Sequence, residues 1–246
     1  MIPKKIHYCW FGGKPLPASA QKCIASWRRF FPDYEIIEWN EDNFPVDTIA
    51  YTAEAYRAGK YAFVSDYARF KILYAQGGLY FDTDVEVIAP FDSILAAGPF
   101  MGCEFDPAPN QEMMVAAGLG LGAEPEMPVY KAVLDRYADM HFINPDGSQN
   151  QTTVVEIVTR VLEKFGIKNR VGFHENAGIM IYPAEYFNPL DDATGRLRKT
   201  DKTVSIHWFS KSWVDNSSPL RVKMSRLAHR IFGVHFFTNV RNILRK

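Results

Sequence analysis

Residues 77–84 read Gly77-Gly78-Leu79-Tyr80-Phe81-Asp82-Thr83-Asp84. The apolar Leu79-Tyr80-Phe81 predicts a short strand, and Val85-Glu86-Val87-Ile88 continues it as an alternating pattern. On a strand, residues two apart point to one side, so Asp82 and Asp84 are expected to address a single point in space. Two carboxylates that close repel each other unless a cation lies between them. All-oxygen ligands suit Mg²⁺ or Mn²⁺, either of which can bridge a diphosphate. Taken alone, the tripeptide also fits two solvated acids at a strand end.

What precedes it narrows the choice. Phe63-Val64-Ser65-Asp66-Tyr67-Ala68-Arg69-Phe70 leads into a helix predicted over 65–76, with Ser65 as N-cap and a stop at Gly77-Gly78. Asp66 and Arg69, three apart, share one helical face, while Phe63, Tyr67, Phe70 and Tyr74 form the buried stripe. A surface ion pair of small worth is the plain alternative for Asp66 and Arg69.

Further out, Lys5 to Trp10 is strand-like and closed by Gly12-Gly13. Residues 17–31 carry Ala20, Ile24, Trp27 and Phe31 at helical spacing, and Tyr34 to Trp39 is again a strand. This is a βαβ unit, the opening of a doubly wound α/β fold. Helices are expected at 48–58, 126–140 and 152–165, with strands at 113–122, 178–182 and 203–208. The run Gly118-Leu119-Gly120-Leu121-Gly122 lacks dinucleotide-binding spacing and reads as part of a tightly packed strand.

The chain has 246 residues, 47% of them hydrophobic, enough for one α/β domain with a sizeable core. Net charge is zero but uneven: residues 216–246 hold seven Lys/Arg and no Asp/Glu. A catalytic domain over 1–215 with a basic, amphipathic helical tail over 216–246 follows. The acidic body excludes a nucleic-acid footprint there. Cys9, Cys23 and Cys103 form no C-x-x-C pair, which suggests neither a disulfide framework nor a cysteine zinc site. With no signal-peptide pattern and no membrane-span-length apolar run, the chain is expected in the cytoplasm. In the tail, Leu220, Met224, Leu227 and Ile231 form one stripe and Lys223, Arg226 and Arg230 a neighbouring basic face. Phe236, Phe237, Val240, Ile243 and Leu244 repeat the pattern. Either the tail rests peripherally on the anionic inner face of a membrane or it packs on the domain with its arginines solvated.

The run Ile2 to Gly13, the stretch Tyr61 to Asp84, and Ile206-His207-Trp208 with Ser212-Trp213 together resemble bacterial glycosyltransferase family 32, the capsular-polysaccharide and Och1-like group, whose arrangement the clostridial glucosylating toxins share. The resemblance implies a GT-A, Rossmann-like fold with a mixed sheet, a nucleotide-diphosphate sugar donor, Mn²⁺ or Mg²⁺, and retention of anomeric configuration. Carried over, Trp10 stacks on the nucleobase beside the backbone of Ile6, His7 and Tyr8. Asp66 and Arg69 grip donor-sugar hydroxyls, and Tyr80 lies in the donor site. Asp82 contacts ribose, sugar and metal-bound water, Asp84 binds the metal, and Ser212 and Trp213 close over the diphosphate. His207 is a further metal or diphosphate contact, with a structural histidine as the alternative; for Trp10 the alternative is a core tryptophan. Ala116-Ala117-Gly118 departs from the pattern, since many relatives have a polar residue there. A UDP-hexose donor and a saccharide or lipid-linked saccharide acceptor in polysaccharide biosynthesis are implied. Two other readings of the D-x-D are a haloacid-dehalogenase-type phosphatase with a nucleophilic aspartate and a non-catalytic sugar-binding protein.

Overall fold

The computed structural model describes residues 1–210 and 219–232. Strands β1 (Lys5–Cys9), β2 (Glu35–Trp39) and β3 (Gly78–Tyr80) lie side by side, with β1 central and parallel to both. They continue into β7 (Leu121–Ala123), β5 (Phe100–Phe105), β9 (Ile179–Tyr182) and β8 (Gly172–His174), in the order β2-β1-β3-β7-β5-β9-β8. A short β6 (Met114–Ala116) pairs with β5. The β3–β7, β5–β7 and β8–β9 pairs are antiparallel and β5–β9 is parallel, so the eight-stranded sheet is mixed, as expected.

Alternation along the strands distributes side chains to both faces. Leu79 joins a cluster built on Trp27 of α1 (Ala18–Phe30), whereas the adjacent Tyr80 joins one built on Phe70 of α3 (Tyr61–Gln76). The second cluster also takes in α2 (Ala50–Arg57), α5 (Pro128–Ala138) and α6 (Val154–Lys164). Trp27 is wholly buried and its indole N–H donates to the Val85 carbonyl at 2.8 Å, tying α1 to β4 (Val85–Val87). A small α4 (Asp92–Ala96) follows β4, and α7 (Ala184–Phe187) follows β9. Then come the hairpin β10 (Leu190–Asp191) and β11 (Arg196–Leu197), and β12 (Ser205–His207), which pairs antiparallel with β4.

Several expectations are corrected. Helix α3 begins at Tyr61, one turn before Ser65, whose hydroxyl bonds the Tyr61 carbonyl at 3.2 Å inside the helix instead of capping it. The strand read over 113–122 is two strands separated by a turn at 117–119, both pairing with β5. That β5 is a central strand the sequence reading passed over. Gly77 and Gly78 do end α3, with φ of +63° and +98°. A Cβ on Gly78 would stand 2.8 Å from the Lys5 carbonyl, so these glycines turn the chain and let β3 lie against β1.

The last described element is α8 (Pro219–Phe232). Arg226 bonds the carbonyl and carboxylate of Asp192, and Arg230 bonds the carbonyls of Thr194 and Gly195. The helix thus docks on the β10–β11 turn through its arginines, while Met224, Leu227 and Ile231 are exposed. This reverses the expected orientation, in which the arginines faced solvent or lipid. The side chains of Leu220 and Lys223, and the whole second stripe from Phe236 to Leu244, lie outside the described residues. No described helix is long and apolar enough to cross a membrane.

Candidate active site

Because β1 and β3 are parallel, their carboxyl ends open on the same edge of the sheet, and Trp10 and Asp82 both follow directly from them. Ligands of open α/β sheets collect at such edges. Asp82 and Asp84 are not on the strand, which stops at Tyr80. They sit in the turn beyond it, where the Val85 N–H donates to the Asp82 carbonyl at 3.0 Å. Their convergence comes from partners on other elements, not from the pleat.

Asp82 is held from α3. Arg69, on the helix face predicted for it, places Nη2 2.9 Å from Asp66 Oδ1 and 3.2 Å from Asp82 Oδ1, with Nη1 3.3 Å from Asp82 Oδ2. Its Nε donates to the Ser65 carbonyl at 3.1 Å, and its guanidinium lies 4.8 Å from the centre of the Tyr80 ring. The Tyr80 hydroxyl donates to Asp82 Oδ1 at 3.2 Å. Arg69 is only 4% exposed, so this is a buried fork between two acids and not the solvated pair that helical spacing alone allows. Burial raises the Asp66 carboxyl to about 6 against the pull of Arg69. It also raises Asp82, again opposed by Arg69. The carboxylate a phosphatase would use as nucleophile is therefore already bound on both oxygens.

Asp84 is held by the chain after β12. His207 Nε2 lies 3.0 Å from Asp84 Oδ1, and the Ser210 N–H donates to Oδ2 at 2.7 Å. Phe209, between them, has φ +50°, a left-handed turn uncommon for a bulky residue, which brings the Ser210 amide back to the carboxylate. Burial works against charging both Asp84 and His207, but each outweighs it for the other. Asp84 is held well below the usual carboxylate range, and His207 is pushed up. Ligand atoms of Asp82, Asp84 and His207 all lie within 4.8 Å of one another, the one such group of three among the described residues. Two carboxylates and an imidazole can hold a divalent cation, which would take the place of the imidazole proton.

The other expected donor-site residues are placed as follows. Trp10 is half-buried at the sheet edge, its indole N–H donating to the Lys14 carbonyl at 2.5 Å. Ile6 and Tyr8 face the α1 cluster, and the Tyr8 hydroxyl donates to Glu38. The His7 ring is buried, its Nε2 bonded to the Gly77 carbonyl and its Nδ1 accepting from Trp39, both at 3.0 Å. Ser212 and Trp213 lie outside the described residues. Ser210 escaped the sequence reading because it acts through its backbone amide; Gly118, read there as a departure from the family pattern, lies with its Cα against the Asp82 carboxylate.

Residues 17–101 match the model of the glycosyltransferase sugar-binding region containing a DXD motif. Subversion of eukaryotic traffic protein A of Legionella pneumophila is 30% identical over 129 residues, covering 41% of this chain and 20% of that protein. The chain thus spans about one fifth of that relative. Among solved structures, the PaToxG glycosyltransferase superposes with a TM-score of 0.50 at 18% identity, over 66% of this chain and 69% of that one. A glycosyltransferase involved in glycosylation of the major capsid of PBCV-1 gives a TM-score of 0.47 at 13% identity, over 90% and 98%. Residues 17–101 thus resemble the DXD-containing sugar-binding region of family 32-like glycosyltransferases, and the mixed-sheet fold that carries them is of the GT-A type.

Proposed function

We propose that this chain transfers a hexose from a nucleotide diphosphate sugar, a UDP-hexose, to a saccharide or lipid-linked saccharide acceptor, with retention of configuration, in polysaccharide biosynthesis. The observation that carries the reading is the convergence of Asp82, Asp84 and His207 beside the buried Asp66–Arg69–Asp82 fork.

Asp84 and His207 hold the cation directly, with Asp82 completing the group. Carboxylates suit Mg²⁺ and Mn²⁺ alike, but an imidazole in the set favours Mn²⁺. When bound, the cation supplies the positive charge that stabilises a departing diphosphate. Arg69 and Asp66 grip sugar hydroxyls, Tyr80 keeps Asp82 oriented, and Trp10 offers its ring to the base. No protein base is assigned to the acceptor hydroxyl.

Peripheral contact of residues 216–246 with a membrane belongs to the same reading. With Arg226 and Arg230 bound to the β10–β11 turn, the surface α8 offers is the apolar one of Met224, Leu227 and Ile231.

The test incubates the protein with a panel of nucleotide sugars, with and without Mn²⁺, and follows free nucleotide diphosphate. Direct titration of Mn²⁺ by electron paramagnetic resonance runs beside it. Mn²⁺-dependent release from one UDP-hexose is expected. Turnover indifferent to metal, or Mn²⁺ binding unchanged by Asp84→Asn, would refute the assignment, and metal binding without turnover would leave a sugar-binding protein.

A further inference from the structure

We propose that Gly118 is a positioning residue for Asp82: its missing side chain is the space in which the Asp82 carboxylate sits. A Cβ built on Gly118 would lie 2.1 Å from Asp82 Oδ2 and 3.5 Å from Arg69 Nη1. Contact that short does not occur between real atoms, so any side chain at 118 must move the carboxylate. The backbone is not what demands glycine, because the φ of Gly118 lies outside the left-handed region and an alanine there is unstrained.

The carboxylate has nowhere to retreat without loss. It is fixed by Arg69 at 3.2 and 3.3 Å and by the Tyr80 hydroxyl at 3.2 Å, and its own backbone N–H donates to the Gly118 carbonyl at 3.3 Å. That hydrogen bond ties the 117–119 turn to the D-x-D turn, so the two can part to admit a methyl group only by breaking it. Neighbouring glycines serve a different end. A Cβ on Gly122 or Gly102 would strike the rings of Phe100 or Phe187, which are core contacts, and one on Gly120 would meet Phe81. Gly118 is the described glycine whose missing Cβ makes room for a site carboxylate.

The metal part of this inference rests on the proposed function, whereas the steric part does not, and a double-mutant cycle separates them. Gly118→Ala, Asp82→Ala and the double variant are compared by thermal unfolding and by Mn²⁺ titration. In the parent, Gly118→Ala is expected to lower Tm and to weaken Mn²⁺ binding by about 10–100-fold, the usual loss when a ligand's support is disturbed. In the Asp82→Ala background the new methyl meets no carboxylate, so Gly118→Ala should lower neither Tm nor metal affinity further. Should Gly118→Ala fail to fold, the double variant should fold. An equal Tm loss in both backgrounds, no loss in either, or a double variant that also fails to fold would overturn the proposal. A parent that binds no Mn²⁺ would sink the metal reading while the Tm cycle still decides the steric one.

Discussion

His207 and Asp84 form an ion pair at 3.0 Å at the mouth of the sheet, and Ser210 closes the other carboxylate oxygen with its amide. Two aspartates two residues apart are expected to repel, and relief of that repulsion would make neutralising Asp84 harmless to the metal-free protein. Each carboxylate instead has its own cationic partner, Arg69 on Asp82 and His207 on Asp84. Asp84→Asn should therefore lose Mn²⁺ binding and also destabilise the metal-free protein by about 1.5–3 kcal/mol, the range for a charge-assisted hydrogen bond. Urea unfolding without metal measures the second effect. A variant as stable as the parent would mean that the pair contributes nothing.

Arg69 is the most constrained cation of the site. Arg69→Met leaves Asp66 and Asp82 facing each other with no countercharge, and loss of one partner of a buried pair costs about 3–5 kcal/mol. Arg69→Lys keeps the charge but cannot reach both acids and the Ser65 carbonyl from one planar fork, so it should recover only part of that stability. Equal urea midpoints for Lys and Arg at this position would show that point charge alone suffices.

The parts of this site legible in the sequence are those written in side-chain identity at fixed spacing. Asp66 and Arg69 follow from helical periodicity, and the D-x-D pair from its place after an apolar strand. What was not legible depends on contacts distant in sequence. Strand β5 was missed because Phe100–Phe105, between Pro99 and Asp106, shows no alternation: it is buried on both faces over its first four residues and so carries no period-two signal. The reach of Ser210 depends on the left-handed φ of Phe209, which a phenylalanine does not announce. Gly118 was noticed as a departure from a pattern, but a glycine gives no sign of which atom fills the space beside it. The docking of α8 by its basic face inverted the usual rule that charged stripes face water, because the turn at 192–195 presents a carboxylate and four carbonyls to it.

His7 supplies a pH signature away from the metal group. Burial, partly offset by its bond to Gly77, lowers its pKa from 6.5 to about 4, and the neutral ring serves as donor to Gly77 and acceptor from Trp39. Between those values the unfolded chain takes up a proton that the folded one refuses. Stability is therefore full above pH 6.5, falls as the pH drops toward 4, and changes no further from this group below that. The integrated loss is about 3 kcal/mol. Acidic groups titrate in the same range, so the measurement is the difference in denaturant midpoint between the parent and His7→Gln across pH 4–7. Parallel curves would show that His7 takes up its proton as readily in the folded chain as in the unfolded one, and that burial does not hold the ring neutral.

The arrangement of α8 makes its proposed membrane contact apolar in character. Arg226 is spent on the carbonyl and carboxylate of Asp192 and Arg230 on the carbonyls of Thr194 and Gly195, so an anionic leaflet could recruit them only by undocking the helix. Met224, Leu227 and Ile231 already face outward at 63%, 55% and 64% exposure. Electrostatic attachment weakens steeply as salt rises, since the Debye length shrinks from roughly 30 Å at 0.01 M to roughly 3 Å at 1 M, whereas burial of apolar surface persists or strengthens. Co-sedimentation with phosphatidylglycerol vesicles is expected to survive high salt. It should be lost when Met224, Leu227 and Ile231 are together changed to serine, substitutions at exposed positions that leave the docking bonds of α8 in place. Pelleting abolished by salt but untouched by the serines would mean that the arginines leave the β10–β11 turn to bind lipid. No pelleting at either ionic strength would make α8 a brace for that turn and nothing more.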